Sequence, residues 1–167
     1  LIVDGNAHIV DQSAYSSQNR YAISAIGGVS VTIKNGLIES TNNTAVYINR
    51  LGSSGLQEDH AKFEMTGGTI KGGEYGLKHT QLNEITLSGG TISGGKNQPD
   101  VYMAWEKNSV SGTAKFTVKG NFPFASMKIE SASKINEIDF TKATATGEEN
   151  LQINLPWDGN ETGANMK

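Results

Sequence analysis

The chain has 167 residues, 36% of them apolar, with 20 glycines, no cysteine and a formal net charge of −3 at pH 7. One domain accounts for this length, and the low apolar fraction fits a thin core better than a thick globular one. The composition excludes disulfides and a cysteine nucleophile, and the acidic balance excludes a broad basic surface for nucleic acid. No apolar run approaches the roughly 20 residues that span a bilayer, so no membrane insertion is predicted.

Apolar-polar-apolar triplets recur along the chain, and each predicts a short strand with one buried face. Successive triplets begin either 22 or 30 to 32 residues apart, which indicates a basic repeat of about 22 residues with insertions in the longer intervals. The six triplets begin at Leu1, Val31, Phe63, Ile85, Phe116 and Ile138.

Each triplet is followed by a corner and then by two more short strands. Glycine and asparagine dominate the corners, as in Thr66-Gly67-Gly68 and Ser88-Gly89-Gly90. Both residue types tolerate positive φ, which suits a sharp bend. The predicted second strands are 37–39, 69–71 and 91–93. The predicted third strands are 22–25, 45–48, 76–78, 101–103, 127–129 and 151–153.

The repeat is clearest in the middle of the chain, where Phe63–Gly73 returns 22 residues later as Ile85–Gly95. Three strands per turn and no room for a helix predict an all-β parallel β-helix, a solenoid of about six rungs of three short strands. The predicted interior columns are Ile33, Met65, Leu87, Val118 and Phe140 on the first sheet; Ile38, Ile70 and Ile92 on the second; and Val46, Leu77, Val101, Met127 and Ile153 on the third.

These GGTI-type repeats are similar to those of the right-handed parallel β-helix family, also called the pectin-lyase-like family, and in particular to repeats of secreted bacterial surface proteins. The resemblance covers nearly the whole chain. It implies a right-handed coil and a secreted or cell-surface location in a bacterium. We expect residues 1–167 to be a single domain of a longer protein.

The enzymes of that family cut acidic polysaccharides. Lyase members use calcium held by clustered aspartates and an arginine base; hydrolase members use paired aspartates with Gly-His-Gly and Arg-Ile-Lys segments. None of these patterns matches here, since the aspartates are scattered and the only arginines are Arg20 and Arg50. No catalytic residue, cofactor or metal is therefore predicted, and Glu58-Asp59-His60 is too local to enclose an ion.

The third strands carry the candidate binding surface. If the third-sheet column points inward, period two turns Ser24, Tyr47, Lys78, Tyr102, Lys128 and Gln152 outward. Aromatic rings offer flat faces to sugars, and cations bond hydroxyls or carboxylates. His79 is expected, with Arg50 and Trp105, at strand ends or in adjoining loops. The candidate ligand-binding residues are Tyr47, Arg50, Lys78, Tyr102, Trp105 and Lys128. The alternative is a solvated ladder held by cross-strand packing.

The loops 49–62 and 104–115 are predicted to leave one side of the stack and to wall a groove, unless they are simply tolerated insertions.

The first functional hypothesis is a non-catalytic extracellular binding or adhesion module that contacts a glycan or another extracellular ligand. The alternatives are a polysaccharide lyase or hydrolase fragment, and a structural spacer that stacks end to end or on neighbouring domains. Pro156 and Trp157 are predicted to close the C-terminal edge.

Overall fold

A computed structural model describes residues 1–14, 20–49, 60–80, 83–104, 111–130, 135–139, 141–142 and 151–158. Within these ranges the chain is all-β and contains no helix. The strands are β1 (Ile2–Val3), β2 (His8–Asp11), β3 (Ile23–Ile26), β4 (Ser30–Ile33), β5 (Leu37–Ser40), β6 (Val46–Asn49), β7 (Lys62–Met65), β8 (Thr69–Lys71), β9 (Leu77–Thr80), β10 (Glu84–Leu87), β11 (Thr91–Ser93), β12 (Val101–Ala104), β13 (Ser111–Val118), β14 (Ser126–Glu130), β15 (Ile135–Asp139) and β16 (Leu151–Asp158).

The strands form three sheets, which the chain visits in turn. The first sheet has the order β1-β4-β7-β10-β13-β16, the second β2-β5-β8-β11, and the third β3-β6-β9-β12-β14-β15. From β1 to β12 the chain therefore makes four circuits, each contributing one strand to each sheet. Neighbouring circuits pair in parallel and in register, so that Ile85 lies between Phe63 and Phe116.

The interior holds the predicted columns. Side chains that alternate inward from all three sheets form the core, and most of them are 2% exposed or less. The predicted members that the structure confirms as buried are Ile33, Met65, Leu87, Val118, Ile38, Ile70, Ile92, Val46, Leu77, Val101 and Met127. A second inward position on the third sheet adds Ile48, His79, Met103 and Ile129 to the core.

Glycines turn successive circuits at one corner. Gly36, Gly68 and Gly90 have φ of 95°, 82° and 91°. A side chain at Gly68 would also meet the carbonyl oxygen of Gly36 at 2.9 Å, because the backbones of neighbouring circuits are in close contact there. Both the left-handed backbone and the lack of space favour glycine, as the sequence pattern predicts.

The last two strands do not follow the predicted circuit. Ile138–Phe140 was predicted on the first sheet and Leu151–Ile153 on the third, but β15 pairs antiparallel with β14 in the third sheet and β16 pairs antiparallel with β13 in the first. Ile153 lies opposite Phe116, and Phe140 is outside the described residues. Residues 131–134 separate β14 from β15, and the regular circuits pass from the third sheet to the first in a connection as short as 27–29, so the length of this connection permits either path.

Candidate functional site

Four residues from neighbouring strands of the third sheet share one outward register. Tyr47 on β6 lies opposite Lys78 on β9, Lys78 opposite Tyr102 on β12, and Tyr102 opposite Lys128 on β14. We call these four residues the tyrosine–lysine row. Strands in a sheet are about 4.8 Å apart, so the row extends over roughly 14 Å. Gln152 does not continue it, since Gln152 lies opposite Thr117 in the first sheet.

The ammonium groups of the row lie against its aromatic rings. Lys78 Nζ is 5.4 Å from the ring centroid of Tyr47 and 5.6 Å from that of Tyr102. Lys128 Nζ is 5.4 Å from the Tyr102 centroid. These distances fall within the range of cation–π attraction, which restrains otherwise flexible lysine side chains.

A second tyrosine packs on each tyrosine of the row. The ring centroids of Tyr21 and Tyr47 are 4.6 Å apart, and those of Tyr75 and Tyr102 are 4.7 Å apart. Sequence reasoning missed both partners, although each stands two residues before a third-sheet strand. Tyr47 is consequently only 9% exposed, less than an outward position alone predicts.

Three charged side chains of the first sheet are paired with each other. The Glu84 carboxylate accepts a hydrogen bond from Lys62 Nζ at 3.1 Å and another from Lys115 Nζ at 3.3 Å. Chiefly the hydrogen bond from Lys62, with support from Lys115, lowers the pKa of Glu84 against the opposing effect of burial. Lys78, by contrast, has no ion pair within the part of the chain that the structure describes, and its charge faces two rings. Lys128 lies opposite Glu137 in register.

An open groove adjoins the Tyr47 end of the row. It has a volume of about 580 Å³ and is lined by Asp11, Arg20, Tyr21, Ser24, Ile26, Tyr47 and Asn49. Ser24 is the register partner of Tyr47, so the groove and the row are continuous along the third sheet. We call it the Arg20 groove; sequence reasoning did not find it, because its lining comes from separate circuits.

The two charges of this groove are used differently. The Asp11 carboxylate accepts hydrogen bonds from Ser13, Ser40 and Asn43, at 2.8 to 3.2 Å. Partial burial acts to raise the pKa of Asp11, but these hydrogen bonds outweigh it and lower the pKa. Arg20 is exposed and has no hydrogen bond or ion pair to any described residue.

His79 is a core residue, not a member of the strand ends or loops where the sequence placed it. It is fully buried inside β9 and its ring stacks on Phe116 at a centroid distance of 5.5 Å. Burial lowers the pKa of His79 to about 4, against a hydrogen bond between Nδ1 and the Thr80 carbonyl oxygen. Its Nε2 atom is buried without a hydrogen-bond partner.

Arg50 and Trp105 lie outside the described residues, as do 50–59 and 105–110 of the two long loops. Among the residues that are described, no group of three or more acidic or histidine side chains is arranged to hold a metal ion. The same residues include no helix long and apolar enough to cross a membrane.

Comparison of the chain with family models, curated proteins and solved structures gives no match. Function is therefore inferred from the fold and from the tyrosine–lysine row.

Proposed function

We propose that the chain is a right-handed parallel β-helix of the pectin-lyase-like kind, and that it serves as a non-catalytic binding or adhesion module of a secreted or surface-attached bacterial protein. Its ligand is a glycan, held on the tyrosine–lysine row. The repeated circuit through three sheets supports the β-helix assignment. The right hand is supported by the rule that parallel crossover connections are almost always right-handed.

The observation that carries the binding proposal is the register of the row itself. Rings and ammonium groups alternate on four neighbouring strands, at a spacing fixed by the backbone ladder. Tilted ring contacts with Tyr21 and Tyr75 hold the rings of Tyr47 and Tyr102 in place before any ligand binds. A rigid surface loses little side-chain entropy on binding, so more of the contact energy becomes affinity.

The use of nearby carboxylates supports a non-catalytic role. Glycoside hydrolysis needs two carboxyl groups that are available to the substrate. Asp11 is occupied by its serine and asparagine donors, and Asp100 accepts backbone N–H groups of Gly94, Ala125 and Ser126. These two carboxylates hold the fold together.

A glycan array followed by titration calorimetry on the best ligand tests the proposal. Tyr102→Ala removes the ring that contacts both lysines, and should weaken binding at least tenfold. Thr86→Ala, an outward change on the first sheet, is the matched control and should bind like the unchanged protein. If Tyr102→Ala and Lys78→Gln both keep full affinity, the row is not the binding site.

A second candidate function, association of two copies through the N-terminal end of the stack, is favoured by a different observation. The outer edges of β1, β2 and β3 pair with no described strand. Four large apolar side chains are exposed at this end: Leu1, Ile2, Ile26 and Val29. Open edges with apolar side chains favour strand pairing between molecules. Light scattering over a concentration series should then show dimers that Ile26→Glu prevents; a constant monomer mass excludes this function.

A further inference from the structure

The Arg20 groove has the dimensions of a small-molecule site. Its volume of about 580 Å³ lies within the range of pockets that hold compact ligands. One wall is the tilted ring pair of Tyr21 and Tyr47, and Ser24 and Asn49 supply polar groups beside it. An aromatic wall with a few polar groups around it is suited to one face of a sugar ring and its hydroxyls.

The charge in the groove points to an anionic ligand. The carboxylate of Asp11 is already occupied by donors from Ser13, Ser40 and Asn43. The guanidinium of Arg20 has no partner within the described part of the chain, and it carries a planar set of donors that fits a carboxylate. Among the described lining residues, the groove therefore has one carboxylate that already accepts hydrogen bonds and one guanidinium that donates none.

The position of the groove indicates which part of a glycan it receives. Tyr47 belongs both to the groove and to the row, and Lys78 is one strand step further along. A chain lying on the row thus reaches the groove with one of its ends. Arg20 precedes β3, which is two strands from the β9 strand of Lys78, so the two cations would contact different sugars of the same chain.

We infer that the Arg20 groove binds a chain-terminal sugar that carries a carboxylate, with the sugar face on the Tyr21–Tyr47 pair and the carboxylate on the Arg20 guanidinium. This inference rests on the proposed glycan-binding function and adds to it a second contact of defined chemistry. It accounts for the ring of Tyr21 against Tyr47 beside an arginine that has no partner among the described residues.

Two pairs of probes test this inference by calorimetry: sialyllactose against lactose, and glucuronate against glucose. The acidic member of each pair should bind more tightly. Arg20→Gln should weaken the acidic probes by about 10- to 100-fold, the usual effect of losing a charged hydrogen bond. It should leave the neutral probes unchanged. Arg20→Lys should restore part of the loss, because it keeps the charge without the planar fork.

Lys34→Gln, an exposed cation at another corner of the stack, is the matched control and should change nothing. Equal binding of acidic and neutral probes, or full affinity in Arg20→Gln, overturns the inference. If acetate or a peptide carboxylate binds as well as the acidic sugars, the inference that the ligand is a sugar is overturned. The proposed function is tested separately: long glycans that lose affinity in Tyr102→Ala support the row whatever Arg20→Gln does.

Discussion

Acid should destabilise the protein through His79. The imidazole is fully buried against Phe116, and burial lowers its pKa from 6.5 to about 4. Between these two pH values the imidazole of His79 binds a proton in the unfolded chain and stays neutral in the folded chain. The contribution of His79 to stability is therefore complete above pH 6.5 and is lost as the pH falls towards 4.

The size of this effect follows from the width of the interval. The lowering of the pKa from 6.5 to about 4 corresponds to about 3 kcal/mol in total, at roughly 1.4 kcal/mol for each pH unit. By linkage about 2 kcal/mol of the free energy of unfolding is lost between pH 7.5 and pH 5. The carboxyl groups of Asp11 and Glu84 have lowered pKa values, so their stabilisation is lost mainly below this window.

Urea denaturation followed by circular dichroism at half-unit steps from pH 7.5 to 5 measures the loss. His79→Leu should remove this slope and leave a flatter profile, whatever its stability at neutral pH; His79→Gln serves if the leucine variant does not fold. His8→Gln is the control, because the His8 side chain is 51% exposed and pairs with Glu39 at the surface. Parallel pH profiles for the unchanged protein and His79→Leu would refute the reasoning.

Two further changes test the packing. Ile92→Asp places a carboxylate at a position that is 2% exposed and should cost about 4 kcal/mol or more, seen as a large fall in melting temperature; an unchanged melting temperature would contradict the stacked core. Asn83→Ala removes the acceptor of the Ala61 N–H and the donor to Ile48 and Thr80, at 3.0 to 3.2 Å, all of them buried. It should cost about 2–3 kcal/mol in urea denaturation, whereas the exposed Asn121→Ala should cost almost nothing; equal effects would show that the Asn83 bonds contribute little.

The regular part of the fold could be predicted because the apolar residues of each strand mark the face that is buried. Ile38, Ile70 and Ile92 recur at matching places in successive repeats, and they stack directly in the second sheet. The strand β2 was missed because His8-Ile9-Val10-Asp11 puts two apolar residues side by side. Such a segment gives no clear period of two, and only its register with Leu37–Ser40 identifies it.

The end of the stack was not predictable from apolar spacing. A strand with one apolar face satisfies a parallel or an antiparallel neighbour equally well, so the pattern Ile138-Asp139-Phe140 carries no direction. The connection before β15 carries no direction either, because residues 27–29 are enough to lead from β3 in the third sheet to β4 in the first.

The tyrosine–lysine row could be predicted from the alternation of inward and outward residues along each strand. The ring contacts of Tyr21 and Tyr75 and the Arg20 groove could not. Tyr21 and Tyr75 precede their strands and have no periodic role, so their contacts depend on how the corners fold. The groove likewise needs Asp11 and Arg20 of the first circuit to meet Asn49 of the second.

Each circuit contributes one residue to the tyrosine–lysine row. Whether rings and cations still alternate after a duplication therefore depends on whether the number of added circuits is odd or even. Duplicating a single circuit within the chain would add one strand to each sheet and would place two tyrosines or two lysines side by side. Duplicating two circuits together would lengthen the row by about 9.6 Å and keep rings and cations in alternation. Any lengthening of this surface that preserves its chemistry must therefore proceed in even numbers of turns.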